Sequence, residues 1–293
     1  MKSEAMFPNL FIVGTPKAGT TSLHDNLSLL DCVQAPSEKE PHFFSDIGNN
    51  VPSVYSYSQS QYVSMYDFHD PMIRYWLDSS VSYLHQPSAL KLIRESVPDP
   101  KVIIMLREPV DRMYSHWLMD FREGVNNAPF REAVLADIDA KPKGFGFSHM
   151  YLECSQYYEY VAECYNIFGT ENVFVGFFED YIRDGVGFMD EILSWLEILH
   201  GWGERSLNRS NPAAIPKNDV YAFFLHNFII RRYLKKLVHP AVKSSVRRFM
   251  LKSADKLSIS ESDRMFFSGF FDDDIVNLSS IVDWDYRKWH REI

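Results

Sequence analysis

The 293-residue chain is poor in cysteine, has no long apolar run and carries no excess of basic residues. Its three cysteines, Cys32, Cys154 and Cys164, form no C-x-x-C pair, so we expect reduced thiols rather than a disulfide framework. No stretch approaches the roughly 18 uncharged apolar residues of a membrane span, and the apolar start is interrupted too soon for a signal peptide. The sequence therefore predicts a cytoplasmic protein that does not cross a membrane.

The shortage of basic charge restricts the partners. Lys and Arg total 30 against 39 Asp and Glu, which gives a net charge of -9. Nucleic-acid binding needs a basic surface, so no nucleic-acid partner is expected. There is also no H-E-x-x-H motif, no Cys/His cluster and no G-x-S-x-G elbow. A metal site and a serine-hydrolase site are therefore not predicted.

What the sequence does contain is a series of short apolar runs that alternate with helical patterns. Strands are predicted at Leu10 to Val13, Cys32 to Ala35, Lys101 to Leu106 and Asn172 to Phe178. Helical spacing follows the first and third of these runs and precedes the fourth, from about Tyr151 to Phe168. Such alternation is typical of an α/β fold with a central parallel sheet and helices on both faces.

The remaining segments give weaker signals. Residues 48–75 show no firm period and are predicted to be irregular, whereas the patterns after Gly185 are almost all helical. With no internal repeat or low-complexity linker, we predict a single domain over residues 1–293. It would consist of an α/β core in residues 1–200 and a mostly helical extension in residues 201–293.

The stretch GTPKAGTTSL, which follows the first strand, has the layout of a phosphate-binding loop. Gly14 and Gly19 have the spacing of the G-x-x-x-x-G-K-[ST] loop, but the lysine is Lys17 and Thr20 follows the second glycine. A strand that leads into a helix presents free N–H groups at the helix start, where an anion is favoured. Predicted anion contacts are Lys17, Ala18, Gly19, Thr20, Thr21 and Ser22. The alternative is a tight turn with a surface lysine.

A second anion site is predicted after the strand KVIIML. A nucleoside triphosphatase usually has a magnesium-binding aspartate there, whereas this chain has Arg107 within LREPVDRMYSHW. Arg107 is expected at the carboxyl edge of the sheet, where open α/β sheets bind ligands, and Ser115 lies just inside the next helix. Thr20 and Arg107 at these two positions disfavour a kinase or a triphosphatase.

The paired motifs resemble those of the sulfotransferases that use 3′-phosphoadenosine 5′-phosphosulfate (PAPS). GTPKAGTTSL is similar to that family's 5′-phosphosulfate loop, and LREPVDRMYSHW is similar to its 3′-phosphate motif, R-x-P-x-x-R-x-x-S. KEPHFFS resembles the segment with the catalytic glutamate in the heparan-sulfate branch, LDSSVSYL a substrate segment of that branch, and FFDDDIVNLSSIVDWDYRKW the C-terminal helix of bacterial members. The resemblance implies a P-loop-like three-layer fold, PAPS as donor, 3′-phosphoadenosine 5′-phosphate (PAP) as product, and no metal.

The resemblance also implies roles for individual residues. Glu40 would be the general base and Lys17 would stabilise the leaving phosphate, with His42 as an alternative base or as a group that orients the acceptor. Acceptor contacts are implied at His42, Asp78, Ser80 and Tyr83. Tyr157 is predicted near the nucleotide and Lys217 over the 3′-phosphate. A core aromatic and an ordinary loop lysine are the alternatives for these last two residues.

The acceptor is predicted to be a small molecule, such as a natural product, that is sulfated on a hydroxyl rather than an amine. Heparan-sulfate enzymes usually have a lysine at the position of Ser79, so its absence and the acidic net charge disfavour a glycosaminoglycan. A carbohydrate sulfotransferase and a non-catalytic nucleotide-binding or scaffold protein are the alternatives. The presence of both Lys17 and Glu40 favours an enzyme, because a binding module needs no base.

Overall fold

The computed structural model describes residues 6–46, 57–145, 147–199, 201–203, 205–208, 214–216, 251–253 and 258–289. Its main sheet has five parallel strands in the order β2-β3-β1-β4-β5. The strands are β1 (Leu10–Gly14), β2 (Val33–Gln34), β3 (Tyr75–Asp78), β4 (Lys101–Leu106) and β5 (Val173–Phe177). β1 and β4 are almost wholly apolar and buried, as expected for strands covered on both faces.

Helices connect and cover these strands. The α-helices of the described residues are α1 (Thr20–Leu27), α2 (Gln59–Val63), α3 (Pro87–Ser96), α4 (Pro109–Glu123), α5 (Phe130–Asp139), α6 (Tyr158–Phe168), α7 (Phe178–Arg183), α8 (Gly185–Trp195), α9 (Glu261–Ser268) and α10 (Asp272–Ser279). A short antiparallel pair, β6 (Ala214–Pro216) and β7 (Leu251–Ser253), lies in the region predicted to be mostly helical. No α-helix in the described part of the chain is long and apolar enough to cross a bilayer.

The hydrophobic core consists of two layers, one on each face of the sheet. Successive side chains of a strand point to opposite faces, so Phe11 and Val13 join one cluster while Leu10 and Ile12 join the other. The first cluster includes side chains of α3, α4 and α6, and the second includes side chains of α1 and α8. Each fully buried Leu, Ile or Phe contributes about 1.5–3 kcal/mol to stability. A central parallel sheet with helices packed on each of its faces confirms the predicted three-layer α/β fold.

Some predicted boundaries differ from the structure. The prediction of an irregular segment over residues 48–75 is wrong at α2 and at the start of β3. α2 is held by a capping box between Ser58 and Gln61, and β3 is too short for an alternating pattern to stand out. The helix predicted from about Tyr151 begins only at Tyr158. All three cysteines are free, as predicted.

The strand order determines where the candidate residues meet. From β1 the chain passes to β2 and β3 on one side and then crosses to β4 and β5 on the other. The carboxyl ends of β1, β3 and β4 therefore lie next to one another at the point where the winding direction reverses, which is where such sheets bind ligands. The loop after β1, Ser80 after β3 and Arg107 after β4 all start from this edge.

Candidate functional site

The loop between β1 and α1 has the form of an anion cradle. α1 begins after Gly19, whose φ of 85° is left-handed and which has no side chain to cap the helix. The first N–H groups of α1 therefore have no partner within the helix, and together with the helix dipole they favour an anion. A Cβ at Gly19 would lie 2.8 Å from Cδ2 of Phe178, so only glycine fits this close approach. Among the neighbouring predicted contacts, Ala18, Thr20 and Ser22 are buried and Thr21 is partly exposed.

The side chain of Arg112 holds the loop between β1 and α1 in place. This side chain is fully buried, and its Nη1 donates to the carbonyl of Pro16 at 3.3 Å. Its Nη2 donates to the carbonyl of Tyr151 at 2.7 Å and its Nε to Oγ of Ser155 at 2.6 Å. Sequence reasoning missed Arg112, although it is the second arginine of the motif that contains Arg107. A buried guanidinium with three hydrogen-bond acceptors ties the loop rigidly to residues 151–155.

Arg107 reaches the loop from the end of β4. Its Nη1 donates to the carbonyl of Lys17 at 3.1 Å, and its guanidinium lies 4.7 Å from the centroid of the Phe178 ring. The hydroxyl of the fully buried Tyr157 donates to the carbonyl of Arg107 at 2.7 Å. The structure thus brings Lys17, Arg107 and Tyr157 together, with Tyr157 holding the Arg107 backbone. Ser115 is partly exposed in the second turn of α4.

Lys17 lies in a strongly cationic environment. Its Nζ is 3.5 Å from Sδ of Met119 on α4. Burial lowers the pKa of Lys17, and the positive charges of three nearby arginines lower it further, whereas Asp120 acts in the opposite direction. The arginines are Arg107, Arg122 and Arg112. Such a group of cations with one opposing carboxylate favours a bound anion. Lys217 lies outside the described residues.

The segment after β2 docks onto the first turn of α1. Nζ of Lys39 donates to Oγ1 of Thr21 at 2.7 Å and pairs with Oε1 of Glu40 at 3.3 Å. Oε2 of Glu40 is 3.7 Å from Nε2 of His42. Burial acts to raise the pKa of Glu40, but the contact with His42 and the charge of Lys39 outweigh it and lower the pKa. Glu40 is therefore ionised at neutral pH, with 31% of its side chain exposed. Sequence reasoning missed the role of Lys39.

A buried polar network holds His42. Its backbone N–H donates to Oγ of Ser80 at 2.9 Å, and its Nδ1 lies 2.7 Å from Oγ of Ser82. Asp78 accepts hydrogen bonds from Ser80 at 2.6 Å and from Tyr83 at 2.9 Å. Burial raises the pKa of Asp78, and these hydrogen bonds oppose that rise. Because Asp78, Ser80 and Tyr83 are fully buried, the structure shows them as supports for His42, and their acceptor contacts stay a prediction.

The three predicted catalytic residues share an uncommon backbone conformation. Lys17, Glu40 and His42 have φ angles of 74°, 56° and 53°. Only two other non-glycine residues of the described chain have a positive φ, Met150 and Glu197. Such strain amounts to about 1–3 kcal/mol per residue and is concentrated at functional sites.

Comparison with known proteins identifies the family. The family model for the sulfotransferase domain matches residues 7–209. The chain belongs to the sulfotransferase family. Its fold matches that of a sulfotransferase from Alicyclobacillus acidocaldarius with a TM-score of 0.71 and 23% identity, over 98% of this chain and 100% of that one.

Curated sulfotransferases with detectable sequence similarity are much longer than the matched segment. Mouse carbohydrate sulfotransferase 15 is 24% identical over 168 residues, which cover 43% of this chain and 30% of that protein. The bifunctional heparan sulfate N-deacetylase/N-sulfotransferase 1 of Caenorhabditis briggsae is 31% identical over 118 residues, which cover 39% of this chain and 13% of that protein. The similarity to these two proteins is thus confined to under a third of their length.

This sulfotransferase also contains a cluster that sequence reasoning missed. Nδ1 of His149 lies 2.7 Å from Oδ2 of Asp120, which also accepts from the hydroxyl of Tyr151 at 2.8 Å. Nδ1 of His116 is 3.4 Å from Nη1 of Arg112, so the cluster adjoins the support of the loop. The hydrogen bond to Asp120 raises the pKa of His149, while burial lowers the pKa of His116 to about 3. No local motif signals this cluster, because its hydrogen bonds join Asp120 on α4 to His149 and Tyr151, which lie 29 and 31 residues later in the sequence.

Proposed function

We propose that this sulfotransferase transfers a sulfuryl group from PAPS to a hydroxyl group of a small-molecule acceptor. The observation that carries the proposal is the adjacency of two opposite environments. The loop with Lys17 and Arg107 is a cationic anion cradle. Lys39 contacts the first turn of α1, the helix whose N-terminus forms part of the cradle, and pairs with the ionised carboxylate of Glu40. Binding of an anion and removal of a proton are thus provided side by side.

The cradle fits the donor. N–H groups of the α1 N-terminus and the hydroxyls of Thr20 and Thr21 suit the 5′-phosphosulfate. Arg107 and Ser115 suit the 3′-phosphate, as the family motif implies. Burial, and after it the charge of Arg107, lower the pKa of Lys17 in the free protein, so the charged lysine is disfavoured there. A bound anion removes that penalty, which favours the binding of a multiply charged nucleotide.

The reaction assigns one task to each catalytic residue. The acceptor oxygen forms a bond to sulfur while the bond from sulfur to the bridging phosphate oxygen breaks. The hydroxyl proton passes to Glu40, and PAP leaves with the electron pair of the broken bond. Lys17 stabilises the charge that grows on the bridging oxygen. A general base contributes about 10²–10⁴-fold and one charge-stabilising donor about 10²–10³-fold.

The pairing of Glu40 with Lys39 has a function in this scheme. Lys39 and His42 keep the carboxylate ionised, which is the form that accepts a proton. They also fix its position, since His42 is itself held by Ser80 and Ser82. A non-catalytic nucleotide-binding protein would gain nothing from a strained and ionised carboxylate at this place.

A small acceptor is favoured over a glycosaminoglycan by the environment of Ser79. This serine is fully buried, and its Oγ lies 2.8 Å from Nδ1 of His24. Burial lowers the pKa of His24 to about 4, so this pair is neutral at physiological pH. The position therefore presents no cation to a polyanionic sugar. Sulfation of a carbohydrate is the second candidate, because curated relatives include carbohydrate and heparan sulfate sulfotransferases by name.

The proposal is tested by a screen of alcohols and amines with PAPS in which release of PAP is measured. We expect PAP release that depends on a hydroxyl compound. Glu40→Gln keeps the shape of the side chain but removes the proton acceptor, so turnover should fall by about 10²–10⁴-fold. Affinity for PAP, measured by calorimetry, should stay nearly unchanged, because Glu40 faces the acceptor.

His42→Gln is the matched control for this variant. If His42 only orients the acceptor, its loss should reduce turnover clearly less than the loss of Glu40. A nearly normal Glu40→Gln enzyme together with an inactive His42→Gln enzyme would transfer the role of base to His42. Binding of PAP without any PAPS-dependent transfer would instead support the non-catalytic alternative.

A further inference from the structure

Arg122 has hydrogen-bond donors that no described residue of the chain accepts. It lies in the last turn of α4 and is partly buried. Its Nε and Nη2 atoms are buried and have no hydrogen-bond partner among the described residues. Buried polar atoms, and charged ones above all, are almost always paired in native proteins. Burial also lowers the pKa of Arg122. Within the described ranges of the chain, therefore, no acceptor is placed to pair with these two atoms.

The position of Arg122 along α4 relates it to the catalytic lysine. Met119, whose Sδ contacts Nζ of Lys17 at 3.5 Å, precedes Arg122 by one helical turn on the same side of α4. The charge of Arg122 is also near enough to lower the pKa of Lys17. Ser115, the predicted 3′-phosphate contact, lies about 10 Å back along the helix axis, at ~1.5 Å per residue. α4 thus runs from the nucleotide end of the site, past Lys17, to Arg122.

The other cations near Lys17 already have partners or assigned ligands. Arg112 is satisfied by protein oxygens on three sides. Arg107 donates to the carbonyl of Lys17 and is assigned to the 3′-phosphate of the nucleotide. The donor's phosphates are matched by Arg107, Lys17 and the N–H groups of α1. Of the three arginines whose charges lower the pKa of Lys17, Arg122 is the one with donors left unpaired among the described residues, and it follows Met119 along α4.

We infer that Arg122 binds an anionic group of the acceptor, either a carboxylate, a sulfate or a phosphate, and so selects hydroxyl compounds that carry an acid. This inference rests on the proposed sulfuryl transfer. The planar guanidinium offers parallel N–H donors that match two oxygens of such a group. Pairing with an anion would satisfy Nε and Nη2 together. It would also direct the acceptor towards the space beside Lys17.

The inference is tested with pairs of hydroxyl compounds that differ in one charged group. A suitable panel contains hydroxybenzoates and short aliphatic hydroxy acids, each with its primary amide, at saturating PAPS. A hydrogen-bonded charge predicts that kcat/KM for the acids exceeds that for the amides by about 10–100-fold. In Arg122→Gln the preference for acids over amides should fall to within about twofold. Arg122→Lys should keep part of this preference, because lysine supplies a positive charge but not the planar pair of donors of arginine. Arg94→Gln, an exposed arginine on α3, is the control and should keep the full preference.

Binding measurements separate the acceptor from the donor and the inference from the proposed function. With PAP bound, the acids should bind more tightly than the amides in calorimetry, and PAP affinity of Arg122→Gln should stay within about twofold of wild type. Equal use of acids and amides, an unchanged preference in Arg122→Gln, or no binding of any acid would overturn the inference. Much weaker PAP binding in Arg122→Gln would also overturn it, by assigning Arg122 to the donor. Failure of the proposed function differs from all of these, since PAP itself would then not bind or PAPS would not be consumed with any hydroxyl compound.

Discussion

Replacement of Gly19 by alanine tests the geometry on which the cradle depends. The added Cβ would be 2.8 Å from Cδ2 and 3.1 Å from Cε2 of Phe178. It would also place a non-glycine residue at a φ of 85°. The Phe178 ring is not free to withdraw without effect, because the guanidinium of Arg107 lies 4.7 Å from its centroid. The substitution therefore disturbs the loop, the ring and the arginine together.

The expected magnitude is the sum of two effects. The left-handed backbone destabilises alanine by about 1–2 kcal/mol, and the extra methyl group in a packed contact adds about 1–3 kcal/mol. Gly19→Ala should thus lower the free energy of unfolding by about 2–5 kcal/mol. At about 2–4 °C per kcal/mol for a protein of this size class, Tm should fall by roughly 4–20 °C. PAP binding should weaken as well, because the N–H groups of the cradle move.

Calorimetric unfolding of the wild type and four variants separates the two effects. Gly19→Ala is compared with Phe178→Leu, with the double variant and with Gly269→Ala. Gly269 has a φ of -61° and no atom within 4 Å of an added Cβ, so its replacement should leave Tm nearly unchanged. The double variant should recover the packing part, with a coupling of about 1–3 kcal/mol. A wild-type Tm for Gly19→Ala, or no coupling to Phe178, would refute the reasoning.

Three further predictions concern charge. Lys17→Ala should reduce kcat by about 10²-fold or more. Arg107→Ala should mainly raise KM for PAPS, because the contact of Arg107 is the same in the ground and transition states. The reverse pattern in steady-state kinetics would remove both assignments. PAP should bind equally well in EDTA and more tightly than AMP in calorimetry, and equal affinity for AMP would mean that the 3′-phosphate site is absent. The raised pKa of His149 stabilises the folded state fully below its unfolded pKa of about 6.5, and this contribution is lost as the pH rises through the folded pKa. His149→Gln should therefore lower Tm more at about pH 6 than at about pH 8, and an equal loss at both would contradict that pairing.

Local sequence signals were strong enough to predict the framework of the fold. The run KVIIML predicted β4 with the bounds that the structure shows, because a strand buried on both faces has no polar positions to interrupt it. The loop after β1 was predicted from the order of strand, glycine and hydroxyl residues. β3 was missed, because a run of four residues that ends in Asp78 becomes recognisable only through its pairing with β1 and β2.

The contacts that support the candidate site could not be predicted from the sequence. Lys39 acquires its role through Thr21, and Asp120 through His149, in contacts that no local spacing encodes. The left-handed backbone at Glu40 and His42 was equally hidden, because only a few per cent of non-glycine residues have a positive φ and the residue type alone does not identify them. Tertiary structure imposes these features, so they follow from the fold and not from the motif.

The contacts that anchor the cradle determine which fragments of the chain can form it. The N–H of Thr15 donates to the carbonyl of Met105 at 2.8 Å, and its Oγ1 donates to the carbonyl of Cys154 at 3.1 Å. The stretch GTPKAGTTSL is complete within the first 23 residues, yet the shape of this loop is set by segments that are synthesised much later. A nascent chain or fragment that ends before residue 105 carries the whole stretch without either restraint, and one that ends before residue 154 lacks the contact with Cys154. If the cradle binds the nucleotide as proposed, we expect this binding to report on completion of the core, because the long-range contacts have to form before the cradle does.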